Sequence, residues 1–300
     1  MLDLSVIILT YNEEIHIRRC LENVCKIAKN IYVIDSYSTD KTIEIAKEFP
    51  NVTILQHEWP NNHGIQFNWG LEHANISSKW ILRLDADEYL SEELKIRLEN
   101  ELESLPEDIA AIEMRLKHVF MGRTIKGGSG KKYFTRIFRH GKGKSEAKRM
   151  DEHIVVSGGQ TVRWDEIFFD NNLNDLAWWT NKHNGYSIRE AADLLDAEYH
   201  LSDSVSDGLL GNDAASARQK KSIYSKMPLF FRSFAYFIYR YLVRGGFLEG
   251  KEGFIWCFLQ GWWYRTLVDA KIYEIKKNCG SDRELIKQYL TNQYNIDFNY

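Results

Sequence analysis

Residues 80–94, WILRLDADEYLSEEL, run an apolar stretch straight into Asp85, Asp87 and Glu88. Carboxylates crowded in this way repel one another unless a cation, a basic partner or protonation relieves them. If the backbone stays extended for two residues past the apolar run, alternation sends Asp85 and Asp87 to the same side. A hard divalent cation is the natural guest of such a pair. Mg2+ or Mn2+ binds through one or two carboxylates and completes its shell with water and substrate phosphate, so an open D-x-D suits a nucleoside diphosphate better than an all-protein metal cage. Three-residue matches are frequent, and only context gives this one weight. A second candidate, KGGSGKK at residues 126–132, fails as a phosphate-binding P-loop. The glycine required five residues before Gly130 is Ile125, and Lys132 follows Lys131 where Ser or Thr is needed. It reads as a mobile loop bordering an acceptor, with Arg136 and Arg139 just beyond it as phosphate contacts or solvated basic side chains.

The elements that must position these residues supply the context. Residues 4–9, 31–36 (IYVIDS), 51–56 (NVTILQ) and 80–85 (WILRLD) are short, apolar and β-branched, as in strands buried on both faces. Between the first two, Ile15, Leu21, Val24 and Ile27 recur at helical spacing. Between the next two, Ser38 or Asp40 caps a helix with an Ile43, Ala46, Phe49 stripe. Alternating strands and helices predict a parallel sheet with right-handed crossovers, whose ligands bind beyond the carboxyl ends of the strands. Thr10, Tyr11, Asn12, Asp35, Asp85 and Asp87 then share one rim. Asp40 reads as a cap, and Asp35 as either a ligand or the cap of its own turn. Ser91 caps a charged helix after the D-x-D strand. Further strands follow to about residue 172, and the chain then turns helical. LSDSVSDGLLGND at residues 201–213 is the best boundary signal, and no solenoid repeat is apparent.

The chain has 300 residues, 44% of them hydrophobic, which is enough to bury a substantial core. A net charge of −3 argues against a general nucleic-acid binder. Cys20, Cys25, Cys257 and Cys279 show neither zinc-ligand spacing nor a disulfide framework, which fits a reducing cytoplasm. The first residues, MLDLSVIILTYNEE, read as a buried strand and not as a signal peptide. Residues 227–274 are dense in aromatics and arginine; Arg232, Arg240 and Arg244 break any run able to span a bilayer. Arg232, Tyr236 and Arg240 share one helical face, apart from Phe230, Phe234, Phe237 and Tyr241. This is the pattern of a helix lying in a membrane interface, or of one packed on the core with its arginines reaching water.

Together SVIILTYNEE, IYVIDSYSTDKT and ILRLDADE, in that order at strand ends, resemble the family 2 glycosyltransferases of the GT-A fold. The resemblance covers roughly the first half of the chain. Within the family it is nearest to bacterial enzymes that extend lipopolysaccharide core, capsule or other surface glycans. It implies an α/β, Rossmann-like, mostly parallel sheet flanked by helices in residues 1–172, with a helical extension in 173–300. Thr10, Tyr11 and Glu13 would line the nucleotide pocket, Tyr11 against the base and Asp35 accepting from the uracil N3–H. Asp85 would lie near ribose and metal, with Asp87 on the metal itself. GIQFNWGLEHA, which resembles the segment before the family's metal strand, would put Gly64, Gln66 and Asn68 at the edge of the donor site; a plain surface helix is the alternative. The catalytic base would fall in RMDEHIVVSGG, where closer relatives read His-Glu. Their glutamate aligns with Glu152 and their histidine with Asp151, and Glu152 is favoured. His153 reads as a structural histidine.

The expected activity is therefore inverting, metal-dependent transfer of a hexosyl or N-acetylhexosaminyl group. The donor would be a UDP-sugar and the acceptor a saccharide or lipid-linked glycan, at the inner face of the plasma membrane. Two rivals stand against it. One is an aspartate-nucleophile phosphotransferase or phosphatase, which would need a Gly-Thr type of turn where Glu88 and Tyr89 stand. The other is an inactive membrane-surface scaffold, which would have lost part of the acidic rim.

Overall fold

In a computed structural model of the chain, residues 1–128, 130–146, 148, 150, 152–202, 223–296 and 298 are described. The expected alternation is present at the start: β1 (Leu2–Thr10), α1 (Ile17–Val24), β2 (Ala28–Asp35), α2 (Thr42–Ala46), β3 (Val52–Gln56), α3 (His63–His73) and β4 (Trp80–Asp85). β3, β2, β1 and β4 pair in parallel in that order. Thr10 is in register with Asp35, and Leu9 with Asp85, so three strand ends finish side by side. β1, β2 and β4 are buried along nearly their whole length. β3 is only partly covered, because it is the edge strand, contrary to the expectation of burial on both faces.

Beyond β4 the sheet becomes mixed. β5 (Glu88–Leu90) follows a tight turn after β4, and α4 (Glu92–Glu101) begins at Ser91, whose Oγ accepts from the Leu94 amide at 3.2 Å. β6 (Ile109–Phe120), β7 (Arg123–Thr124), β8 (Lys132–Arg139), β9 (Gly143–Ser145), β10 (Ile154–Val156) and β11 (Gln160–Asp170) complete the strands named here. β8 runs antiparallel between β4 and β6, and β11 runs parallel to β6 and antiparallel to β5. β5 therefore returns the D-x-D turn to the far edge of the sheet. One apolar cluster fills the face covered by α1 and α4, with Leu4, Leu21, Trp80, Leu94 and Phe168 at its centre; another lies under α3, around Ile7, Phe67 and Phe138.

The helical region comprises α5 (Leu176–Tyr199), α6 (Phe231–Ile238), α7 (Gly250–Trp256), α8 (Tyr264–Cys279) and α9 (Arg283–Tyr294), with π-helical turns at Tyr239–Val243 and Cys257–Trp263. α5, α8 and α9 share a core of their own around Leu195, Ile275 and Ile286. A smaller cluster of Phe120, Ile125, Trp179, Trp256 and Leu259 joins that core to the end of β6. Much of the 201–213 boundary segment, from residue 203 on, lies outside the described residues.

Three expectations change here. Arg232 and Arg240 face neither headgroups nor water. Arg232 is buried and donates through Nε to Asp269 at 2.8 Å, and buried Arg240 donates to the Gly128 carbonyl at 2.6 Å. The second consequence concerns the glycine loop: it is docked on the helices and not free over an acceptor. The Lys126 amide donates to Glu249 at 3.0 Å and the Gly128 amide to the Arg244 carbonyl at 3.0 Å. Arg139, the third, stacks on Trp80 and donates to the carbonyls of Ile109, Leu105 and Pro106, so it is a structural clamp and not a phosphate contact.

Candidate active site

The carboxyl ends of β1, β2 and β4 open into a cavity of about 1570 Å³, closed on the far side by α5 and the end of α7. Its rim is built by two loops that clasp each other. After β1, Asn12 takes a left-handed backbone, φ 55°, and its Oδ1 accepts from the Thr39 amide at 2.8 Å. After β2, Tyr37 is left-handed too, φ 58°. Residues with a Cβ adopt this region at a cost, and they hold it where surrounding bonds over-determine the turn. Those bonds are present: the amides of Asn12, Glu13 and Glu14 donate to Ser38, Thr42 and Asp40, at 2.8, 2.7 and 3.0 Å. The clasp leaves Tyr11 and Tyr37 60% and 56% exposed at the cavity wall, two aromatic faces available to a planar ligand.

Asp35 is spent inside this clasp. It is fully buried, and its oxygens accept from Thr10 Oγ1 at 2.9 Å and from the Ser38 amide at 2.9 Å. The turn-capping alternative describes it, and it is absent from the cavity wall. Asp40 caps as expected, accepting from the Thr42 amide at 2.9 Å. Glu13 lines the cavity while holding His16, whose Nδ1 donates to it at 2.5 Å because Nε2 accepts from the Leu173 amide. Gln66 lines the cavity from α3, with Oε1 on His57 at 2.6 Å and Nε2 on Ser36 at 3.1 Å. Asn68 does not: it exchanges two bonds of 2.8 Å with the backbone of Ser145. Gly64 is a packing glycine, since a Cβ there would lie 1.9 Å from the Glu146 carbonyl oxygen. Asn68 and Gly64 therefore fasten β9 to α3 and do not edge a ligand.

The acidic floor is a tight turn. The Asp85 amide donates to Glu88 at 3.0 Å, and Glu88 lies under Arg136, 2.5 Å away. Burial alone would raise the Asp85 carboxyl, but Arg136 and Arg83 more than offset it, and Asp85 sits below the usual carboxylate range. Asp87 goes the other way. Burial and the neighbouring Asp170 charge, with Asp85 adding to them, push it up to about 6, although Asn172 donates to it at 2.9 Å. Asp170 ends β11 beside Asp87 and accepts from His118 at 3.1 Å. Sequence reasoning missed Asp170, because its proximity depends on β11 and β5 pairing across the chain. Among the described residues no three His, Cys, Asp or Glu side chains gather as a metal cage. Two mutually repelling carboxylates open to a cavity are nonetheless the donor set that Mg2+ or Mn2+ takes when phosphate and water supply the rest.

Glu152 also faces the cavity, held by buried Arg83 at 2.8 Å, while Asp151 lies outside the described residues. His153 stacks on Phe134, the contact of a structural histidine. On the opposite wall α5 presents Trp178, Lys182, Tyr186 and Arg189. None of the four was singled out from sequence; their spacing of four, four and three residues was the available signal.

The profile of Glycosyl transferase family 2 matches residues 5–160, just over half of the chain. The SPbeta prophage-derived glycosyltransferase SunS of Bacillus subtilis is 42% identical over 89 residues, 29% of this chain and 21% of SunS, so the match spans about a fifth of that relative. The lipopolysaccharide core biosynthesis glycosyltransferase LpsC of Rhizobium meliloti is 26% identical over 296 residues, 91% of this chain and 93% of LpsC. Among solved structures, S. aureus TarS 1–349 aligns with 99% of this chain and 93% of its own, at 15% identity and a TM-score of 0.45.

Proposed function

The chain belongs to glycosyl transferase family 2 and is a glycosyltransferase of the GT-A α/β fold with a helical C-terminal region, and from that premise we propose an inverting, metal-dependent transfer of a hexosyl or N-acetylhexosaminyl unit from a nucleotide sugar. The observation that carries it is the placement of Asp85 and Asp87 at the floor of one cavity whose rim is the Tyr11/Tyr37 clasp. Tyr11 and Tyr37 flank the base, Thr10, Glu13 and Gln66 border the nucleotide, and Asp85 and Asp87 would hold Mg2+ or Mn2+. When bound, such a cation offsets the charge of the departing diphosphate.

The chain's own groups do the remainder. Glu152, oriented by Arg83, takes the proton of the acceptor hydroxyl as the hydroxyl attacks the anomeric carbon. Burial pushes Glu88 well above the usual carboxylate range despite the Arg136 contact, while Arg136 and Arg83 draw Asp85 down and favour its charged form. UDP remains the proposed nucleotide; with Asp35 consumed by its turn, recognition of the base falls to the clasp. The similarity to LpsC supports a saccharide or lipid-linked acceptor in surface polysaccharide or lipopolysaccharide synthesis.

Work at the cytoplasmic membrane face has its own support. Among the described residues no helix is long and apolar enough to cross a membrane. Yet Phe231 at the start of α6, Val243 in the π-helical turn after it and Leu248 beyond that turn stand 61%, 72% and 73% exposed, with Lys226, Arg244 and Lys251 exposed along the same stretch of chain. An apolar surface accompanied by cations suits an anionic lipid headgroup layer.

The test is a screen of nucleotide sugars for metal-dependent transfer or hydrolysis. Wild type is expected to turn over one of them, and Glu152→Gln to lower kcat by roughly 100-fold or more while leaving nucleotide affinity unchanged. No turnover of any donor, or full activity in Glu152→Gln, would overthrow the respective assignment.

A further inference from the structure

A nucleoside diphosphate entering this cavity meets Asp85, Asp87, Asp170, Glu13, Glu88 and Glu152, and needs positive charge to do so. Two of the cavity's arginines are already committed: Arg83 to Glu152 at 2.8 Å and Arg136 to Glu88 at 2.5 Å. Lys182 is not. It projects from the second turn of α5, with Nζ 4.6 Å from the centre of the Trp178 ring and 5.7 Å from that of Tyr186, and it forms no ion pair among the described residues. The two rings hold the half-buried ammonium over the cavity by cation–π attraction. Burial would lower its pKa, but Tyr186, Asp87 and Glu13 outweigh that, so the charge persists. Asp87 on the floor and Glu13 on the rim line the same cavity as Lys182 and both favour its charged form.

We propose that Lys182 is a diphosphate-binding residue: its ammonium, caged by Trp178 and Tyr186, contacts phosphate oxygens of the donor and remains on them as the sugar–oxygen bond breaks. This rests on the reading of the cavity as a nucleotide-sugar site. It also gives α5, which lies wholly outside the segment matched by the family profile, a direct part in the chemistry. The Lys182 charge partly offsets the cavity's surplus of carboxylates and so lowers the repulsion that a diphosphate would meet.

The experiment is calorimetric titration of the full-length wild type, Lys182→Gln and Lys182→Arg, with UDP, GDP, dTDP, CDP and ADP and with the matching nucleosides, in Mn2+ and in EDTA. For the diphosphate that wild type binds best, Lys182→Gln should weaken binding at least tenfold, with the larger loss in EDTA. Affinity for the nucleoside should stay within about twofold, and Lys182→Arg should restore most of the diphosphate affinity. Equal diphosphate affinity in wild type and Lys182→Gln overturns the proposal alone, and so does a parallel loss for the nucleoside, which marks a structural role. Unchanged diphosphate affinity with a raised KM for acceptor assigns Lys182 to the acceptor and overturns it too. If wild type binds none of the five diphosphates, the nucleotide-sugar reading fails first and takes this assignment with it.

Discussion

At the scale of single residues, the site turns on the unequal ionisation of two aspartates two positions apart. Asp85 is held charged by arginines, whereas Asp87 is pushed up to about 6 by burial and by Asp170. The folded chain binds the Asp87 proton more tightly than the unfolded one does, so this contribution to stability is fully present below pH 3.8 and is lost as pH rises through about 6. Asp87→Asn should therefore be more stable than wild type at pH 7.5 in EDTA, by on the order of 1–3 kcal/mol, with the gap closing toward pH 4. Thermal melts across that range check it; a destabilised Asp87→Asn at pH 7.5 would refute the assignment. Asp85 and Asp87 were legible in the sequence because an apolar strand ran straight into them. Asp35 carried both a ligand and a turn-capping reading, and Asn68 and Gly64 both a donor-site and a plain-helix reading, because the contacts that occupy them come from distant parts of the chain. Asp35 spends its oxygens on Thr10 and Ser38, and Asn68 on the Ser145 backbone.

Among the elements, α6 was the hardest to read. Its alternation of arginine and aromatics matches an interfacial helix, but the partner that settles the matter, Asp269, lies 37 positions away on α8. Asp269 also accepts from the Phe230 amide at 2.7 Å. Arg232→Ala would leave that carboxylate buried and unpaired and should cost about 3–5 kcal/mol, whereas Arg232→Met with Asp269→Leu should recover most of it. Urea unfolding distinguishes the outcomes, and an Arg232→Ala variant as stable as wild type would contradict the buried pair. Arg232, Arg240 and Phe237 are inside, whereas Phe230 and Phe234 are exposed, as are Phe231, Val243, Arg244 and Leu248. Substituting Val243, Phe247 and Leu248 together by Glu should abolish co-sedimentation with vesicles containing phosphatidylglycerol while leaving the melting temperature near that of wild type. Unchanged sedimentation would remove the membrane face from the account. By contrast β1, β2 and β4 were plain from sequence, because strands buried on both faces need continuous apolar runs.

Over the whole molecule, the cavity belongs to neither half alone. The sheet supplies floor and rim, while α5 and α7 supply the far wall, joined to β6 through Phe120, Ile125, Trp179 and Trp256. Motifs revealed the half whose chemistry repeats across a family; the other half has only a helical face of Trp178, Lys182, Tyr186 and Arg189, a pattern that amphipathic helices share generally. The most direct test of the account is the affinity of the intact chain for UDP, measured by calorimetry in Mn2+ and in EDTA, for wild type and Asp87→Ala. The account requires wild type to bind at least tenfold more tightly with Mn2+ than without, and Asp87→Ala to lose that gain. Binding that ignores Mn2+, or a gain that survives the loss of Asp87, would contradict it.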